Sequence, residues 1–249
     1  MICEDFIRAL DPVEFSRYIG IEPDEWQADV LRYEGKRLLL NCSRQSGKST
    51  TTATKALHTG IYRPKSLILL VSPSLRQSQE LFRKVKEGYE CMEAQPGLIE
   101  DSRLSLVLSN GSRIVSLPSD PATVRGYSSV DMILFDEASQ AQDAFYYSVL
   151  PMLAVSSGII ICMSTPYGKR GFFYKEWVDG GEIWKRIEIP AMMCPRISAE
   201  ELERQRRSLG SMFFRQEFMC EFVETTDQVF GYDMVQNAFD DNIQPLFGV

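Results

Sequence analysis

The sequence predicts an α/β fold: a central, mostly parallel β-sheet flanked by helices, followed by a small C-terminal lid or linker subdomain. Two observations carry this. Short apolar runs closed by turn residues alternate with segments of helical periodicity, the pattern of strands joined by crossover helices. One such run, Leu38-Leu39-Leu40, breaks through Asn41 and Cys42 into the small, polar turn Ser43-Arg44-Gln45-Ser46-Gly47-Lys48-Ser49-Thr50. That is the strand-turn-helix layout of a phosphate-binding loop.

The elements follow in order. Asp11-Pro12 opens a short helix, and residues 23–33 form a second that ends at Gly35. After the loop strand, residues 49–61 read as a helix. Ser66 to Ser72 is an apolar run closed by Pro73, hence a buried strand, and Gln77 to Tyr89 has helical spacing. Residues 105–108 and 113–117 flank Asn110-Gly111, a strong hairpin signal. Met132 to Phe135 is an apolar strand ending in Asp136-Glu137, and Gly158 to Met163 is another ending in Ser164-Thr165-Pro166. From Ser198 the composition changes to a charged helix (200–209) and an aromatic-rich segment (213–222). The division expected is a core over residues 1–190 and a lid or linker over 191–249.

Composition narrows the classes. A chain of 249 residues, 44% hydrophobic, can bury a sizeable core. No segment approaches the ~20 apolar residues that span a bilayer, and the N-terminus lacks a basic start and an apolar signal core. The expectation is a soluble, cytoplasmic protein without a membrane partner. The six cysteines are scattered without C-x-x-C spacing, which favours reduced thiols over a disulfide framework or a zinc site. The single histidine, His58, falls in the helix after the loop and reads as structural. The net charge of −7 excludes a broadly basic nucleic-acid face, so such contacts would come from local clusters or several subunits.

The candidate chemistry lies in the turns. Gly47 permits close backbone approach, Lys48 would reach β- and γ-phosphate oxygens, and Ser49 would ligate Mg²⁺. The loop departs from G-x-x-x-x-G-K-[ST] in carrying Cys42 at the first glycine position and a cation, Arg44, inside the turn. Asp136 at the end of an apolar strand would hold Mg²⁺, and the adjacent Glu137 would orient and deprotonate water. A small-molecule kinase must instead exclude water and has no use for such a base. Ser164-Thr165-Pro166 would lie beside the γ-phosphate, because ligands bind at the carboxyl ends of such strands. Trp26-Gln27 suggests an adenine reader through the glutamine amide. Arg44, in cis, and Arg125, from a neighbouring subunit, compete for the role of a cation set against the transition state.

In order along the chain, Trp26-Gln27, the loop 43–50, Ser72-Pro73-Ser74 with Gln77, the Arg125-Gly126 loop, Asp136-Glu137-Ala138 and Ser164-Thr165-Pro166 resemble the ATPase domain of the large terminase subunit of tailed double-stranded DNA bacteriophages. The likeness runs from about residue 21 to about residue 230 and includes Phe213 to Phe218 and Val229-Phe230. It implies a P-loop NTPase of the additional-strand, catalytic-glutamate type, with ATP and Mg²⁺ as ligands. It also implies Glu137 as catalytic glutamate, Arg125 as a candidate trans finger and Ser164-Thr165-Pro166 as a coupling segment. The partners implied are double-stranded DNA, a homo-oligomeric ring, commonly a pentamer, the capsid portal protein and the small terminase subunit, in the cytoplasm of an infected bacterium. Lys84, Lys86, Arg103 and Arg113 are candidate DNA contacts. The family's nuclease domain has no room before Val249, so the motor half alone is expected. Two other readings stay open: a helicase-like translocase, which needs a second motor domain, and a nucleotide-binding regulatory module without turnover.

Overall fold

The computed structural model describes residues 2–224; of the expected lid or linker, residues 225–249, with Val229 and Phe230, lie outside the described residues. Strands β1 (Arg37–Cys42), β2 (Leu67–Ser72), β3 (Leu98–Asp101), β4 (Ser105–Leu108), β5 (Arg113–Pro118), β6 (Met132–Asp136), β7 (Ile159–Ser164) and β8 (Lys185–Ile189) form one sheet in the order β3-β4-β5-β2-β6-β7-β1-β8. All pairings from β5 to β8 are parallel; β4 runs antiparallel to both β3 and β5. The expected Asn110-Gly111 hairpin is the β4–β5 pair. Strand β7 lies between β1 and β6, the additional strand of the catalytic-glutamate type.

The helices are α1 (Ile2–Leu10), α2 (Pro12–Tyr18), α3 (Glu25–Arg32), α4 (Lys48–Tyr62), α5 (Leu75–Glu90), α6 (Pro121–Val124), α7 (Asp143–Ser156), α8 (Gly171–Asp179), α9 (Ala199–Ser208) and α10 (Ser211–Met219). Successive strand side chains point to opposite faces, and this sorts the apolar runs into two cores. Leu38, Leu40, Ile68, Leu70, Leu134 and Ile161 pack with Trp26, Val30, Leu57 and Val85 of α3, α4 and α5. Leu39, Leu69, Ile133, Phe135 and Ile160 pack with Phe145 and Val149 of α7 and with Phe172 of α8. Burial on both faces is why these strands read as unbroken apolar runs rather than alternating ones. At ~2 kcal/mol per fully buried Leu or Ile, the two layers fix strand positions, and so the positions of the polar residues at the strand ends.

Candidate active site

The turn between β1 and α4 is shaped by two left-handed residues, Gln45 at φ 59° and Gly47 at φ 95°. At Gly47 a side chain is excluded twice over: φ is one that L-residues rarely adopt, and a Cβ would sit 2.6 Å from Gln27 Nε2. The turn is anchored from behind. The Ser43 N–H donates to the Ile189 carbonyl of β8 at 2.9 Å, and the Arg44 N–H to the Glu217 carbonyl of α10 at 3.0 Å. Asn41 Nδ2 donates to the Cys220 carbonyl at 2.7 Å. The first-turn N–H groups of α4, which have no intrahelical acceptors, are left to face an anion.

Parallel strands bring the predicted chemistry to one end of the sheet. Lys48 Nζ lies 3.0 Å from Glu137 Oε1. The Ser49 hydroxyl donates to Asp136 Oδ2 at 3.1 Å, and the Glu137 N–H to Asp136 Oδ1 at 3.0 Å. Glu137 occupies the left-handed region at φ 51°, a conformation that costs a non-glycine residue ~1–2 kcal/mol and turns it out of strand direction beside Asp136. Its Oε2 accepts from the Ser164 hydroxyl at 3.4 Å. Ser139 then links the two strand ends: its Oγ is 2.7 Å from Ser164 Oγ and donates to the Thr165 carbonyl at 2.8 Å. Ser164, Thr165 and Ser139 are all buried, so these bonds are not shared with solvent.

Charge is concentrated here under little water. Burial opposes the ammonium of Lys48, but the neighbouring Glu137 and Asp136 outweigh it and hold its pKa above the ordinary lysine value. Burial pushes the Asp136 carboxyl above the usual range; Lys48 opposes the rise and Glu137 adds to it. Ser49 and Asp136 supply a hydroxyl and a carboxylate within hydrogen-bond reach, a hard-oxygen pair suited to Mg²⁺.

Other residues singled out from the sequence fall differently. Trp26 is buried in the core. Gln27 Oε1 accepts from the Asp24 N–H at 2.9 Å, and its Nε2 donates to the Ser46 carbonyl at 3.4 Å. Its amide therefore closes the start of α3 and braces the loop, rather than standing free to pair with a base. Arg44 is turned toward α10, where its guanidinium pairs with Glu217. Arg125, just after α6, is exposed and has no ion pair among the described residues. Thr50 accepts from Lys84 Nζ at 3.1 Å, so Lys84 braces α4 against α5. Lys86 is ion-paired with Asp101 at 2.6 Å. Arg103 and Arg113 are exposed, with Arg113 at the start of β5, the end of the sheet opposite Asp136. His58 is structural in its contacts: its ring packs edge-on against Phe15 at 5.4 Å and meets the Arg8 carbonyl at 2.9 Å.

Sequence reasoning missed Ser139 and Arg196. Arg196 donates to the Ser46 carbonyl at 2.7 Å and pairs with Asp24 at 2.8 Å. A hydroxyl directly after Asp136-Glu137-Ala138 was a readable hint for Ser139; nothing local in the sequence marks Arg196.

Residues 39–237 match the family described as terminase large subunit, T4likevirus-type, N-terminal. The chain belongs to this family. Relatives of this terminase domain include the large subunit of Thermus virus P23-45, 26% identical over 89% of this chain and 53% of that protein. Another is that of Escherichia phage T5, 27% identical over 85% and 50%. The chain thus spans about half the length of the relatives it matches. Among solved structures, the large terminase ATPase domain of Thermus phage P74-26 superposes with a TM-score of 0.72 at 22% identity, covering 84% of this chain and 98% of that one. The large terminase of a thermophilic bacteriophage in complex with ATP-γ-S gives 0.66 at 12% identity, covering 80% and 53%. These likenesses show a shared fold. No helix among the described residues is long and apolar enough to cross a membrane.

Proposed function

We propose that this terminase domain is an ATP-hydrolysing motor that drives double-stranded DNA into a viral procapsid. The observation that carries the reading is the bonded set Lys48–Glu137–Ser164, with Asp136 and Ser49 beside it, assembled at the carboxyl ends of β1, β6 and β7. The complex of the thermophilic phage's large terminase with ATP-γ-S supports ATP as the nucleotide.

The chemistry follows from that set. Lys48 and the N–H groups opening α4 bind the β- and γ-phosphates of ATP. The phosphates compete with Glu137 for the Lys48 ammonium, and the carboxylate so released accepts a proton from water. The water oxygen bonds to the γ-phosphorus as the bond to the bridging oxygen breaks, giving ADP and phosphate. Ser49 and Asp136 would hold Mg²⁺, which when bound offsets phosphate charge. Because Glu137 also touches Ser164, its displacement is transmitted through Ser139 to Thr165, a route from hydrolysis to movement of the segment after β7.

Arg125, exposed and without an ion pair among the described residues, suits a finger reaching a neighbouring subunit's phosphates in a homo-oligomeric ring. In this reading the ring acts in the infected host's cytoplasm, docked on the portal and working with the small terminase subunit. Glu137→Gln is the deciding test: ATP binding should persist while phosphate release falls by ~10² or more, the scale of a lost general base. Turnover at the wild-type rate would remove the assignment.

A further inference from the structure

The carbonyl of Ser46 receives two side-chain donors, Arg196 Nη2 at 2.7 Å and Gln27 Nε2 at 3.4 Å. Ser46 is fully buried, so solvent cannot stand in for either. The same guanidinium grips Asp24, with Nη1 3.1 Å from Oδ1 and Nη2 2.8 Å from Oδ2. Its backbone is pinned on both sides, since Cys194 is buried in the core beneath the loop and Ile197 packs against that core. Arg196 is therefore held in place to reach a loop 150 residues earlier in the chain.

The consequence lies in the peptide unit. A trans peptide is planar, with its C=O and the following N–H pointing in opposite directions. Holding the Ser46 carbonyl toward Arg196 therefore aims the Gly47 N–H to the other side of the turn. Gly47 is the most easily rotated residue in the loop, and a rotated 46–47 peptide would present a carbonyl oxygen where anionic phosphate must sit. We propose that Arg196 is the positioning residue of the phosphate loop: tethered by Asp24, it locks the Ser46–Gly47 peptide in its anion-binding orientation. This rests on the reading of residues 43–50 as an ATP site. A lysine is a poorer replacement, because its ammonium lacks the rigid planar fork whose two terminal nitrogens meet both Asp24 oxygens while one of them reaches the Ser46 carbonyl.

The test is equilibrium binding of a fluorescent, non-hydrolysable ATP analogue with Mg²⁺ to the 249-residue chain, alongside steady-state turnover. Arg196→Ala should weaken binding about tenfold, while kcat at saturating ATP falls much less, since Arg196 acts on the loop and not on the reacting atoms. Asp24→Ala should lose affinity in the same direction, and the double variant little more than Arg196→Ala, because both remove one clamp. Arg196→Lys should recover only part, and guanidinium ion added to Arg196→Ala should restore affinity partially. Arg196→Gln, of similar length, carries the comparison if the alanine variant unfolds. Binding within twofold of wild type in Arg196→Ala and Arg196→Gln, or losses for Arg196 and Asp24 that simply multiply, would overturn the proposal. A wild-type chain that fails to bind the analogue would remove the ATP reading itself and the clamp with it, a result distinct from unchanged binding in the variants alone.

Discussion

Lys48→Met tests the charge balance of the site without any nucleotide. Lys48 and Asp136 are 8% and 9% exposed, and Lys48 lies 3.0 Å from Glu137. Removing it leaves two adjacent carboxylates with no counter-charge. Breaking a fully buried pair from one side costs ~3–5 kcal/mol; Glu137 is 22% exposed and keeps some hydration, so a smaller cost, ~2–3 kcal/mol, applies. For a chain of this size each kcal/mol moves Tm by ~2–4 °C, giving a fall of roughly 4–12 °C by circular dichroism at pH 7. Adding Glu137→Gln to Lys48→Met removes one orphaned charge and should bring stability back to within ~1 kcal/mol of wild type. A single variant that melts at the wild-type temperature, or a double variant no more stable than the single, would refute the reasoning.

Three further outcomes are expected. Ser139→Ala removes the donor to the Thr165 carbonyl and the partner of Ser164, so chemical denaturation should show a loss of ~1–3 kcal/mol for the orphaned groups, and turnover should fall with ATP affinity kept. Lys55, buried and bonded to the carbonyls of Leu31 and Tyr33, has its pKa lowered by burial from 10.5 to about 8. Its charge is thus a cost present below pH 8 that is relieved as pH rises from 8 to 10.5; wild-type stability should rise relative to Lys55→Met across that window, and a flat difference would count against it. Mixing Arg125→Ala with Lys48→Ala subunits should restore part of the phosphate release if Arg125 acts on a neighbour; no recovery at any ratio would turn attention to Arg44.

Most of the sheet was legible because its central strands are buried on both faces, which leaves unbroken apolar runs such as Leu38-Leu39-Leu40. The loop, Asp136-Glu137 and Ser164-Thr165-Pro166 were legible because each sits at the end of such a run. β8 was not, since Lys185 to Ile189 is a sheet-edge strand of charged and apolar residues with only Ile189 buried. β3 was equally hidden, with every residue exposed. Gln27 shows the limit for site residues. An acid followed three positions later by glutamine, as in Asp24 and Gln27, is also a helix-start signature, and the bonds made by the amide are structural ones. Gln77 closes a similar box with Ser74 at the start of α5. Arg196 was out of reach because its partners come from remote parts of the chain.

Strand β7 has a consequence that its own residues do not reveal. Neighbouring strands lie ~4.8 Å apart, so one strand inserted between β1 and β6 sets their ends about 10 Å from each other. Without it, Glu137 would abut the end of β1 and the turn that follows, with no width for a phosphate chain and an attacking water side by side. The sheet thus acts as a spacer gauge. The gap is held by backbone hydrogen bonds on both sides of β7, so it does not depend on which side chains Ile160, Ile161 or Cys162 carry.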